Sequence, residues 1–131
     1  MRTLSKYNNE TMKKILALLG EGQHIKIENN KTFMPLVVEN IGSYHGHENA
    51  ISLAHYGEQN GDLMRDPEMI FVESDGSYAP VYFRNDYAGV EQEAFTYDEQ
   101  NNVAGLKLKA QISMSMFAEI WLRNIKHQQE L

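Results

Sequence analysis

The sequence predicts an α+β fold: an antiparallel sheet of six or seven strands with an N-terminal and a C-terminal helix packed on it. Three observations carry that prediction. Apolar residues recur at helical spacing only near the two ends of the chain. Between those ends the period drops to two, as in half-buried strands, and Gly, Asn and Asp clusters punctuate the alternating segments at short intervals. The chain's 131 residues suit one domain, 1–131, long enough to bury about two-thirds of its unfolded surface.

The elements follow in order. Met12, Ile15, Leu16 and Leu19 form one apolar stripe, with Lys13 and Lys14 facing out, Asn8 or Asn9 capping the start, and Gly20 or Gly22 ending the helix. From His24, Ile25 and Ile27 alternate with His24, Lys26 and Glu28 before an Asn29-Asn30-Lys31 turn. Phe33 to Ile41 reads as a strand with Pro35, which lacks a ladder donor, at its start or on an edge. Gly42 to Asn49 is polar and reads as a loop, followed by a strand from Ala50 to Tyr56. Gly57 to Pro67, with its Asn-Gly and Asp-Pro pairs, reads as a long connection. Glu68–Glu73 and Tyr78–Arg84 pair around Asp75-Gly76, and Val90–Tyr97 pairs with Val103–Ala110. Met114, Phe117, Trp121 and Ile125 place a final helix at about Ser113–Gln129, its cations Arg123, Lys126 and His127 near the carboxyl end of the dipole.

Composition removes several chemistries. Without cysteine there is no disulfide, thiolate metal site or cysteine nucleophile. The longest apolar run, Ile15–Leu19, is far short of a membrane span, and the Met1–Lys6 start lacks the apolar stretch of a secretory signal. The net charge of −6 argues against binding along a phosphate backbone. That charge is unevenly placed. Between Gly57 and Glu99 eleven acids face only Arg65 and Arg84, a local balance of −9, while the remainder carries +3. Such a segment suits a hard cation, a basic partner, or a solvated sheet face.

The candidate binding residues lie in that segment: His55, Glu58, Asp62, Arg65, Asp66, Arg84, Asp86, Glu91 and Glu93. Glu58, Asp62 and Asp66 are oxygen ligands of the kind Mg²⁺ or Ca²⁺ takes, although their spacing is not that of a calcium loop, and no metal or other cofactor is assigned. Glu91 and Glu93 project on one side of a strand, within the separation used by carboxylate pairs in acid–base chemistry and equally that of any wet face. His45, His47 and His55 supply three imidazoles, but without a helical ligand spacing. No nucleophile elbow, phosphate loop or dinucleotide fingerprint occurs.

Two long runs carry a resemblance: Ala54-His55-Tyr56-Gly57-Glu58-Gln59-Asn60-Gly61-Asp62-Leu63-Met64-Arg65-Asp66-Pro67-Glu68-Met69, and Val81-Tyr82-Phe83-Arg84-Asn85-Asp86-Tyr87-Ala88-Gly89-Val90-Glu91-Gln92-Glu93. Together with Trp121 and Arg123-Asn124 in the last helix, they resemble an uncharacterised bacterial domain family carried by plasmids, phages and integrative conjugative elements. The resemblance implies a cytoplasmic accessory protein of a mobile element and no particular activity. Two functions fit the residues. One is a non-enzymatic interaction domain whose acidic, tyrosine-bearing surface meets a protein partner, with DNA mimicry as its sharper form. The other is a metal-dependent hydrolase or nuclease, with Glu58, Asp62, Asp66, Glu91 and Glu93 holding Mg²⁺ and Arg84 stabilising developing charge. Oligomeric state is open.

Overall fold

The computed structural model describes residues 1–131. Ser5 caps the first helix, its hydroxyl accepting from the Asn8 N–H at 3.2 Å, and α1 (Lys6–Leu19) runs from there to Gly20. Met12, Ile15 and Leu19 are buried along the predicted stripe. The expected caps, Asn8 and Asn9, lie inside the first turns instead. Asn9 Oδ1 accepts from the buried Tyr78 N–H at 3.0 Å, and its amide donates to the Gly76 carbonyl at 3.3 Å. A residue with both a donor and an acceptor can satisfy a neighbouring turn, so these asparagines bind tertiary partners and leave capping to the serine.

Six strands then follow as consecutive antiparallel hairpins: β1 (His24–Ile27), β2 (Leu36–Tyr44), β3 (His47–Gln59), β4 (Asp62–Ser74), β5 (Ser77–Asn85) and β6 (Val90–Glu93), with spatial order equal to chain order. β7 (Phe95–Tyr97) and β8 (Val103–Leu106) form a separate ribbon, and α2 (Leu108–Gln128) closes the chain. The α+β class with terminal helices is therefore the observed one.

Four boundaries differ from the sequence reading. The expected long connection Gly57–Pro67 is almost wholly strand. β3 and β4 run thirteen residues each, joined at Asn60-Gly61, both at positive φ (54° and 84°). That is the two-residue hairpin turn Asn-Gly favours, and it wins over the polar composition around it. Likewise most of the expected Gly42–Asn49 loop belongs to β2 and β3, turning at His45-Gly46. Finally, the Val90–Tyr97 strand divides at the buried Ala94, whose N–H donates to Val81 and whose carbonyl accepts from Lys107. Residues 108–110, expected as strand, begin α2.

Register sorts the sheet's faces. Val38, Leu53, Met69 and Phe83 lie in one cross-strand row on the helix-covered inner face, where Phe83 meets Phe117 of α2 at 5.1 Å. The core of 22 buried apolar residues, from Leu4 to Ile125, joins both helices to the sheet, with Phe83 packed against it. The adjacent rows, Glu39–Ser52–Ile70–Tyr82–Glu93 and Val37–Ala54–Glu68–Arg84–Glu91, occupy the other face.

Buried polar side chains fasten the helices to this frame. Gln111 of α2 accepts from the Arg2 N–H at 2.9 Å and donates to the Arg2 carbonyl at 2.7 Å. Gln129, past the other end of α2, accepts from the Asn29 N–H at 2.8 Å and donates to the Met34 carbonyl at 3.1 Å. Glu119 receives Ser5 N–H and Oγ–H at 2.6 and 2.8 Å and the Asn8 amide at 2.5 Å.

Candidate functional site

The two runs that carry the resemblance meet at one end of the sheet. The first is the β3–β4 hairpin; the second is β5, its turn at 86–89, and β6. They are joined by reciprocal bonds: the Asp86 N–H donates to the Arg65 carbonyl at 3.0 Å, and the Arg65 N–H donates to Asp86 Oδ2 at 2.8 Å. Tyr87 lies across Gly57, where an added Cβ would stand 2.3 Å from the phenolic oxygen. Glycine lets the ring lie this close, and its φ is not unusual.

On the outer face four of the nine predicted residues, Arg65, Arg84, Asp86 and Glu91, enter one polar network, and Glu93 lies beside it, paired with Tyr44. Arg84 Nε reaches Asp86 Oδ1 at 2.8 Å and its Nη1 reaches Glu91 Oε2 at 3.2 Å. Arg65 pairs with Glu68 at 3.3 Å and with Asp86 at 3.5 Å, and Ser52 Oγ–H donates to Glu68 at 2.7 Å. The Tyr82 hydroxyl donates to Glu91 at 2.5 Å, and Tyr44 donates to both oxygens of Glu93. The segment's two arginines thus pair with Glu68, Asp86 and Glu91. The Arg65 backbone N–H and the Arg84 guanidinium hold Asp86 below the usual carboxylate range. Burial and then the bond to Glu91 push Tyr82 up to about 12. Burial, and then Glu93, hold Tyr44 far above the ordinary phenol range. Glu93 is itself raised by burial, against the opposing pull of the Tyr44 hydroxyl.

This network borders a cleft of about 620 Å³, whose lining includes Tyr44, Glu68, Ile70, Tyr82, Glu91, Glu93 and Lys107. One wall is buttressed by the short ribbon: Tyr97 stacks on His45 at 4.1 Å and Phe95 lies 5.2 Å from His47. Carboxylates and phenols on an apolar floor of Ile70 can take up a cation and cover its aliphatic stem.

The remaining predicted residues lie elsewhere. Glu58 and Asp62 are exposed beside the tip of the β3–β4 hairpin. Asp66 accepts from the Asn85 amide at 3.2 Å and, with His55, lines a different cleft against α2. His55 is buried, its Nδ1 accepting from Trp121 Nε1–H at 3.3 Å, whereas His45 and His47 pack on the ribbon. Neither the carboxylate set nor the three imidazoles converge, and no group of three or more His, Asp or Glu side chains is placed to hold a metal ion. Glu73 and Asp75 stand at the opposite end of the sheet, by the β4–β5 turn, and Asp98 and Glu99 lie in the ribbon turn. These four acids lie apart from the outer-face network.

Sequence reasoning missed Ser52 and Lys107, which enter the site through register and through the break at Ala94. It found the tyrosines, but strand propensity alone accounts for tyrosines there. No helix of the structure is long and apolar enough to cross a membrane. No curated protein and no solved structure matches the chain. A model of one family matches residues 10–131, nearly the whole length and both runs described above. The chain belongs to that family, DUF6908, a domain of unknown function.

Proposed function

We propose that this chain is a non-enzymatic interaction domain of a cytoplasmic mobile-element accessory protein, and that its outer sheet face docks a basic segment of a protein partner. The observation that carries this reading is the cleft in which Glu68, Glu91 and Glu93 stand with the Tyr44 and Tyr82 hydroxyls above Ile70. Glu93 supports it further. Its charge is disfavoured by burial and by neighbouring Glu91, and the Tyr44 hydroxyl, His45 at 3.8 Å and Lys107 offset that cost only in part. A lysine or arginine arriving from a partner would supply the missing countercharge, with its stem against Ile70 and Tyr82. The mobile-element setting rests on the resemblance of the two runs.

The test is an NMR titration with a lysine-rich decapeptide at low salt. Backbone shifts should change on the outer-face rows of β4, β5 and β6, fade as salt is raised, and fall at least fivefold in Glu93→Gln. Shifts spread evenly over the molecule, or unchanged in Glu93→Gln, would overturn the proposal.

A further inference from the structure

The inner face holds a second, chemically different cleft of about 470 Å³ between α2, the β1–β2 connection and the bulged stretch of β4, within the size range of small-molecule sites. His55 lines it and is 5% exposed. Because Nδ1 accepts from Trp121, the neutral ring carries its proton on Nε2, and that buried nitrogen has no partner in the fold. Burial also lowers the pKa of this imidazole, consistent with the neutral ring. Asp66 lies in the same cleft with one oxygen engaged by Asn85 and a second to offer. Phe33, Phe117 and Trp121 supply aromatic walls. One unsatisfied donor, one acceptor and aromatic faces match a planar nitrogen heterocycle.

A neighbouring cleft shares the Phe33 and Asn124 walls and holds Arg123, Lys126 and His127, with Glu130 also on its border. Arg123 and Lys126 make no ion pair within the fold. Both lie over the Tyr7 ring, at 5.6 and 4.3 Å from its centroid. We propose that the two clefts are lobes of one binding site for a planar nitrogen heterocycle bearing an anionic group, the chemistry of a free nucleoside monophosphate. The ring's hydrogen-bonding edge meets His55 Nε2–H and Asp66, and the anion meets Arg123 and Lys126. Phe33 and Phe117, both partly exposed, line this cleft, and side chains there must shift for the ring to reach the buried Nε2.

The chain has a single tryptophan, and it donates to His55, so intrinsic fluorescence reads this lobe directly. Titration with the four ribonucleoside monophosphates, corrected for ligand absorbance, should give a saturable change with at least one at submillimolar concentration. The corresponding nucleoside should bind at least tenfold more weakly. Arg123→Ala should remove that difference, and Asp66→Asn should weaken both ligands at least fivefold while leaving the circular dichroism melt intact. His55→Gln should abolish the response. Should that variant fail to fold, Asp66→Asn and Arg123→Ala at partly exposed positions still decide the matter. No saturable change with any monophosphate, equal binding of inorganic phosphate, or indifference to Asp66→Asn overturns the assignment. Binding of a single-stranded oligonucleotide but of no monophosphate also overturns it. None of these outcomes depends on the lysine-peptide site of the outer face.

Discussion

At the scale of single residues, the closest packing decision in the family-like region is Gly57 beneath Tyr87. A Cβ at position 57 would meet only the far end of an exposed tyrosine, and Gly57 does not have a positive φ. Two effects therefore compete. Restricting the unfolded chain favours alanine by about 0.4–1 kcal/mol, and displacing the phenol opposes it. Gly57→Ala should be neutral to slightly destabilising in the natural sequence and stabilising by about 0.5 kcal/mol in a Tyr87→Ala background. Paired urea melts check the change of sign; the same sign in both backgrounds would mean that Tyr87 does not press on Gly57. Nothing in the sequence marks this contact, because Gly57 reads as one more loop glycine until Tyr87 is brought over it by the neighbouring hairpin.

At the scale of elements, the helix stripes and the alternating strands were legible because burial imposes periods of 3.6 and 2 on the apolar residues. The β3–β4 hairpin was harder. Its outer half is long, polar and solvent-facing, so the alternation that marks a strand is lost there, and only Asn60-Gly61 signals the turn. The joint between α1 and α2 was illegible for a related reason: a Ser-x-x-Asn near one end and a lone Glu119 near the other show no local pattern. Burial raises the Glu119 pKa, but the bonds from the Ser5 backbone, Ser5 hydroxyl and Asn8 amide outweigh it and hold the carboxyl below its ordinary value. Because its folded pKa is depressed, its stabilising contribution is present above about pH 4.5 and is lost as pH falls through the folded value. Glu119→Gln weakens charge-assisted bonds and should cost about 1–2 kcal/mol at pH 7, with the deficit shrinking toward pH 3. Chemical denaturation of both proteins at the two pH values measures it, and a pH-independent deficit would argue against a charged clamp.

At the scale of the whole molecule, the sheet with its terminal helices was readable in the sequence. The site was readable only in part. Arg65, Arg84, Asp86 and Glu91 share one network and Glu93 lines the same cleft, but Glu58, Asp62, Asp66 and His55 do not join them. Which face a side chain takes depends on register, and the shift between Ala54/Glu68 and Tyr56/Arg65 changes the parity within β4. That shift sends Asp66 to the inner face beside His55. Global stability should carry the mark of the buried histidines. His55 and His47 are both lowered by burial, so their unfolded forms bind protons first, and stability present above about pH 6.5 is lost as pH falls toward the folded values. Glu93, raised by burial, runs the other way near its own titration. The urea midpoint should drop between pH 7.5 and 5.5, and drop less in His55→Gln; a flat profile would contradict the neutral, buried imidazoles. The joining of Arg2 to Gln111, and of Ser5 and Asn8 to Glu119, has a consequence for synthesis on the ribosome. Each hairpin can zip as it emerges, since every strand pairs with its predecessor, yet the first helix must wait for the last before its clamp exists. The nascent sheet therefore lacks its α2 cover until the last stretch of the chain is made, and a ribosome stalled before about residue 110 would present a substrate for chaperones or proteases rather than a folded domain.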